Sequence, residues 1–543
     1  MPRSLRPGRL FACLLAVGAA LAQDAPPTAP KSSPRAERRA AHAKLNPKGI
    51  AAIDAGVAWL IANQETDGHW DVARFLDGPD KPKRSPYDVG VSGLALLALL
   101  AQGDPAHGEA IARGAKWLAG KLNDKGCVSQ ELFDFVYTQA ITTVVLAEAA
   151  ARTGTAELRD AATAAVRYLE SHRNPDAAWR YMPRGGEDDT SITSWCLAAL
   201  RAADEAGITV AIDAVAGPLA WLESVTTPDG RTGYAKPGEL SARQINDSEK
   251  YPSERSEAMT AAGLNCRLTW GTAPAAPIVR AAMGLLAAKP PVWDEPAIDF
   301  YYWYQGGTAL GHLPGDADGK RWEAALQKAL LAHQVTKGGP VGSWDPAGAW
   351  NHIGGRIQAT AFAVLALSAP FRVGAVDLYA EMPKGPPLQR IVAMCSDGRF
   401  GAAIAALRAI DPGTLDAAQQ AAVRRLQWLC SLATRRAEFL LDHAEKWLPN
   451  PSQRSAHFTA IAEGLAGTEV GNRARQLADA MDKDPKVRAE IAADRDFAAA
   501  TKGYDQSKPL TQRQRALLAK IVEKYPGTEG AKNAAQLLGT RGR

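Results

Sequence analysis

Two adjacent carboxylates, Asp188 and Asp189, stand in the segment Gly185-Gly-Glu-Asp-Asp-Thr-Ser191, at the head of an apolar stretch with helical periodicity. Neighbouring carboxyl groups in a buried setting titrate apart. One ionises while the other keeps its proton towards neutrality and is able to deliver it. The same residue types also cap helices, because a side-chain oxygen of Asp, Ser or Thr accepts the unpaired N–H groups of the first turn. Proton donor and helix cap therefore both stand as readings of Asp188 and Asp189.

A second group is aromatic. Phe300-Tyr301-Tyr302-Trp303-Tyr304 opens another apolar helix, and Trp179, Tyr181, Tyr234 and Trp195 lie in comparable contexts. Such side chains offer polar tips to a sugar or peptide and ring faces to a cation. At helical spacing five consecutive aromatics cannot all face one side, so part of the run is core. Arg255, Glu257 and Arg356 begin neighbouring helices and add charge to the same rim, either for a ligand or for bridges between loops. The candidate ligand-binding set is thus Trp179, Tyr181, Tyr234, Arg255, Tyr301, Tyr302, Trp303, Tyr304 and Arg356.

Other chemistries find less support. None of the nine His residues forms HExxH or another compact ligand set, and no metal or cofactor is expected. Gly126-Cys-Val-Ser-Gln130 has the Cys and Gln spacing of an internal thioester without the Gly-Glu pair between them.

The elements that must position these groups are helical. Apolar residues recur at i, i+3 and i+4, and strand-like alternation is almost absent. Two interleaved series repeat. One is a bulky helix end: GVAWL at Trp59, GAKWL at Trp117, AVRYL at Tyr168 and PLAWL at Trp221, with weaker members near Leu285 and Leu330. The other is a hydroxyl within an Ala-rich helix: Ser92, Thr138, Thr193, Thr260 and Thr360, with a degenerate copy around Gly306. Their spacing of roughly 50 residues fits a helical hairpin plus loop. Small residues let backbones approach and suit an inner ring, whereas the bulky helices suit an outer one. The expected fold class is all-α: an (α/α)6 toroid over residues 48–375, followed by a helical-hairpin region over 383–543.

Here a resemblance enters. Gln64-Glu-Thr-Asp-Gly68-His-Trp70 fits the Q-x3-G-x-W core of the QW motif, Gln334 to Trp344 is a stretched copy, and degenerate copies end at Trp179 and Tyr234. With AWRYMP, DDTSITSWCLAALRAADEAG, FYYWYQGGTALGHL and GGRIQATAFAVLAL, the chain resembles the squalene-cyclase and protein-prenyltransferase toroid superfamily. More closely, it resembles secreted bacterial prenyltransferase/squalene-oxidase repeat proteins. The resemblance covers residues 48–375. Class II terpene cyclases of that superfamily protonate an alkene with an Asp of D-x-D-D-T. Matched to that element, Asp188 falls on the acid, Asp189 on its neighbour and Thr190 on the Thr, while Gly186 stands where the first Asp would be. The prenyltransferase zinc pair Asp-x-Cys is missing. The QW residues read as structural: Gln meets carbonyls left open at a helix end, Gly turns the chain and Trp covers the turn.

The tail from about Pro383 is similar in two places to tetratricopeptide repeats, at 398–412 and 521–529, without a clean 34-residue period. Such surfaces bind partner proteins; the alternative is a cap over the toroid edge.

The first 50 residues differ from the rest. Arg3, Arg6 and Arg9 precede an apolar run from Leu10 to Leu21 that ends Ala-Leu-Ala22, the order of a cleavable export signal over 1–22. Residues 23–47 are rich in Pro, Ala and bases and read as a disordered linker. Of the 63 bases and 58 acids, 54 and 56 remain after residue 50, so no basic face for nucleic acid is implied. Five cysteines follow the signal, an odd number. The sequence thus points to an exported, periplasmic or extracellular protein with no membrane span after signal cleavage. It binds an unknown ligand or protein partner at the inner-helix rim, with or without catalysis. The competing reading is a toroid enzyme of the terpene-cyclase or polysaccharide-lyase kind acting on an isoprenoid or glycan.

Overall fold

The computed structural model describes residues 34–76, 85–128, 132–244, 247–313, 315–373, 382, 385, 388–502, 504 and 509–539. The export signal expected over 1–22 lies outside them, as do Ser129 and Gln130 of the thioester-like segment.

Twelve helices form six hairpins. The outer members are α2 (Pro47–Ala62), α4 (Gly108–Ala119), α6 (Ala156–His172), α8 (Ile212–Ser224), α10 (Pro277–Ala288) and α12 (Ala317–Leu331). The inner members are α3 (Asp88–Ala101), α5 (Phe135–Thr153), α7 (Thr190–Glu205), α9 (Ala258–Thr269), α11 (Phe300–Gly311) and α13 (Asn351–Arg372). Each inner helix packs on the next, and α13 returns to α3, so the ring closes. This is the all-α toroid. Among the described residues there is no strand, only the isolated bridges Thr226–Thr232 and Gln334–Trp344. No helix among them is long and apolar enough to cross a membrane.

The repeated residues fasten one hairpin to the next. The indoles of Trp70, Trp179 and Trp344 each donate at 2.8 Å to a leucine carbonyl, of Leu60, Leu169 and Leu330, near the end of the preceding outer helix. The backbone N–H of each donates to the inner-ring hydroxyl that follows, Ser92, Thr193 or Thr360. Gln64 Nε2 reaches Ala110 O on the neighbouring outer helix, and Gln334 Nε2 reaches Ala52 O on α2. The last hairpin is thereby tied to the first. Gly342 makes that approach possible: at φ 94° it lies against α2, where a Cβ would stand 2.4 Å from Ala55 O. In the fourth hairpin Arg267 replaces the indole and donates to Leu222 O and Thr226 Oγ1.

The expectation of a disordered linker over 23–47 needs correction within its described part. Residues Pro34–Leu45 form a helix, α1, that lies against α13 and α2. Its sequence PRAERRAAHAKL shows little apolar patterning, but its arginines meet the C-terminal ends of inner helices. Arg35 donates to Leu100 O and pairs with Glu148 at 2.9 Å, and Arg38 donates to Phe371 O. Carbonyls at a helix C-terminus lack intrahelical partners and carry the negative end of the dipole, so they hold such cations. Arg372 clasps Glu148 from the other side. Burial alone would push this carboxyl up, yet the two guanidiniums outweigh it and hold it at about 2. The end of the ring away from Asp189 is therefore bolted.

After α13, nine more helices lie among the described residues: α14 (Leu388–Ser396), α15 (Phe400–Arg408), α16 (Ala417–Asp442), α17 (Ala444–Trp447), α18 (Pro451–Gly464), α19 (Glu469–Lys483), α20 (Pro485–Thr501), α21 (Gln512–Lys524) and α22 (Glu529–Gly539). They are helical hairpins with three small cores of their own. The long α16 docks on α8, where Arg436 and Arg267 enclose the buried Glu223.

Candidate functional site

The site is built on the turn before α7. Asp189 is its N-cap: Oδ1 accepts the N–H of Ile192 at 2.8 Å. One residue earlier, Asp188 Oδ1 accepts from Asn174 Nδ2 and from the N–H of Ala178, both at 2.8 Å, bracing the loop that follows α6. Thr190 straps this turn to the next loop, donating its N–H to Tyr234 O and its hydroxyl to Gly233 O. That strap sets which carboxylate turns inward.

It is Asp189. Its side chain has no solvent exposure, and its Oδ2 accepts the Tyr234 hydroxyl at 3.2 Å with Arg180 Nε at 3.8 Å. Burial pushes its carboxyl up to about 7, opposed by the Ile192 N–H, the Tyr234 hydroxyl and Arg180. Asp188 is also raised by burial, opposed by Asn174 and Ala178. Tyr234 OH in turn meets Tyr181 OH at 2.9 Å, and the Arg180 guanidinium lies over both rings at 5.7 and 5.4 Å. Tyr137 of α5 belongs to the same neighbourhood: its phenol is pushed well up by burial, with Asp189, Tyr301, Tyr234 and Tyr181 adding to the effect.

Below this cluster side chains reach across the ring, both between adjacent inner helices and between helices that are not neighbours. Tyr301 OH on α11 lies 2.9 Å from Ser191 Oγ on α7. Gln305 Nε2 donates to Ser194 Oγ at 3.2 Å, and Asn265 Nδ2 of α9 donates to Gln305 Oε1 at 3.0 Å. Tyr304 stacks on Trp195 at 5.3 Å and lies tilted against Phe362 of α13 at 5.6 Å. The lumen at this level is filled by side chains that satisfy one another. On the outside, the mouth carries Phe133 at 71% exposure, tilted on Tyr181 at 4.9 Å, and Met182 at 67%.

The sequence-derived candidates separate accordingly. Asp189, Tyr181 and Tyr234 come together at the mouth, with Tyr301 below them on Ser191. Trp179 is wholly buried in its QW-type bond, Tyr302 faces outwards, with its hydroxyl on Lys289 O, and Trp303 packs on Trp293 and Phe300. Tyr304 lies in the lumen. Arg255 pairs with Asp294, and Arg356 with Asp345 and Ser343, as bridges between loops. Arg180, Tyr137, Ser191, Ser194 and Gln305 join the site without having been singled out. Arg180 lies within the quoted AWRYMP and Tyr137 beside Thr138, but only the fold shows which face they present. No three His, Cys, Asp or Glu side chains among the described residues gather as metal ligands.

No family model and no curated protein matches the chain. Among solved structures, an unsaturated glucuronyl hydrolase specific for heparin aligns with TM-score 0.43 and 14% identity, covering 61% of this chain and 99% of its own. The type II terpene cyclase MstE from Scytonema aligns with TM-score 0.42 and 15% identity over 60% of this chain and 99% of the cyclase. A protein from Actinoplanes aligns with TM-score 0.39 and 16% identity, again over 60% and 99%.

Proposed function

We propose that the toroid binds a hydroxyl-rich ligand, a glycan, at the mouth of the inner ring. The observation that carries this reading is the convergence of Tyr181, Tyr234 and Arg180 on the buried carboxyl of Asp189, beside the open ring of Phe133 and the half-buried ring of Tyr181. Phenol tips and a guanidinium bond sugar hydroxyls, and exposed aromatic faces cover the apolar face of a pyranose. A long isoprenoid would instead need an emptied lumen, and the Tyr301–Ser191 and Trp195–Tyr304 contacts occupy it. A second reading, cleavage of the bound glycan, rests on Asp189 itself: a carboxyl held near neutrality, in contact with a phenol, is suited to moving a proton. We further infer that the chain acts after export, with 1–22 removed, and that the helical tail serves as a TPR-like partner platform.

The test is saturation-transfer NMR on the protein with neutral and uronate-containing oligosaccharides, a peptide library and squalene in detergent. Saturable glycan binding, weakened tenfold or more by Tyr181→Phe, supports the proposal. Binding of squalene or peptide alone overturns it. New reducing ends or unsaturated products, lost in Asp189→Asn, select the catalytic form.

A further inference from the structure

The sulfurs of Cys395 on α14 and Cys430 on α16 lie 3.8 Å apart, both buried. The other three described cysteines are placed differently. Cys127 turns its thiol to Val128 O, while Cys196 and Cys266 are fixed in the packed inner ring. We propose that Cys395 and Cys430 are a disulfide site that staples the first unit of the tail, formed when the chain meets a thiol-oxidising environment.

Two features support it. A disulfide has sulfurs about 2.05 Å apart, so the pair must close by under 2 Å, within reach of side-chain rotation and a small shift of α14. The surrounding core is also small. Leu388, Ile391, Met394, Ala403, Leu407, Ala422, Val423, Leu426 and the two cysteines make it up, separate from the toroid core. Small cores gain most from a covalent link, and this one would close a loop spanning 35 residues, α15 included.

The chemistry is thiol–disulfide exchange with a donor disulfide, of a protein oxidant or of oxidised glutathione. The Cys430 thiolate attacks one donor sulfur, and the first donor thiolate leaves. Cys395, having lost its proton, then attacks the Cys430 sulfur of the mixed disulfide and expels the second. One disulfide is made and one broken, and the two departing thiolates take up the two protons. The steps balance equally with the two cysteines exchanged, because either sulfur of the contact is able to donate to the other.

The experiment refolds the full chain in oxidised glutathione or in dithiothreitol, then counts thiols under denaturing conditions and maps peptides. Oxidised protein should lose two thiols and about 2 Da, with a Cys395–Cys430 cross-linked peptide, and its tail should melt several degrees higher than in reduced protein. Cys430→Ser should abolish that difference between the two conditions. Retention of every thiol in oxidised glutathione, or a cross-link joining any other pair, would overturn the proposal. The comparison of oxidised and reduced wild type stands even if the variant folds poorly.

Discussion

The Tyr234 hydroxyl donates to Asp189 Oδ2 at 3.2 Å, joining the loop after the fourth outer helix to the head of the third inner helix. The acid thus has two functions. Its Oδ1 caps α7 and its Oδ2 faces the mouth. The cap favours the ionised carboxylate, but burial outweighs it and raises the group to about 7.

Asp189→Asn should therefore change how stability depends on pH. Between the ordinary value of 3.8 and about 7 the native state holds the Asp189 proton while the unfolded chain releases it, so raising pH costs stability. Above that window the penalty is constant, and below it both states are protonated. Asn caps as well as Asp and carries no such penalty. Its advantage over wild type should widen by on the order of 2 kcal/mol between pH 5 and pH 8. Urea melts of both proteins at the two pH values measure this; parallel curves would show that Asp189 is not buried as described.

Tyr234→Phe acts in the opposite sense on the same group. The lost hydroxyl bond favoured the ionised carboxylate, so Asp189 should titrate higher by about half to one pH unit. Carbon-13 NMR of Asp-labelled protein reads that titration directly. Tyr181→Phe, one hydroxyl further out, should leave it within a few tenths of a unit while weakening the ligand.

Which parts of this arrangement the sequence discloses follows from distance along the chain. Ser92, Thr193 and Thr360 mark inner helices because each serves the tryptophan of its own hairpin, 14 to 22 residues away. The Tyr301–Ser191 contact joins residues 110 apart, and no local pattern reports it. Asp188 and Asp189 are legible as a pair at a helix start. Their division of labour is not, because it depends on a register fixed by the Thr190 strap to Gly233 and Tyr234. Helix α1 is hidden for a different reason. Its stability comes from arginines meeting carbonyls of distant helices rather than from an apolar stripe, so its composition reads as a tether.

Arg35→Ala tests that last point. Glu148 is held at about 2 against an ordinary 4.5, so its contribution is complete above about pH 4.5 and is lost as pH falls towards 2. Removing Arg35 leaves Arg372 alone beside a buried carboxylate, and the cost at pH 7 should be about 2–3 kcal/mol. The loss should shrink at pH 3, where wild type has begun to forfeit the same interaction. Chemical denaturation at the two pH values gives the comparison. An equal loss at both would mean that Arg35 acts through packing, not charge.

The ring closure gives the last prediction. Gln64 and Gln334 make the same pair of bonds, each to its own glycine carbonyl and to a carbonyl on a neighbouring outer helix. Gln64 joins consecutive hairpins, which remain linked by the chain if the bond is lost. Gln334 joins the sixth hairpin to the first, across 282 residues of sequence. Either change to Ala leaves carbonyls short of a donor and should cost about 1–3 kcal/mol. Their effects on local opening should differ. In Gln334→Ala the seam between α12 and α2 loses its side-chain hydrogen bond and keeps its packing, as around Gly342 and Trp344, so amide exchange should rise along α2. In Gln64→Ala the fastest-opening region should be the turn at 64–70 alone. Hydrogen exchange followed by mass spectrometry resolves the two patterns. Equal protection of α2 in both variants would show that the ring is closed by its inner helices without help from the Gln334 bond.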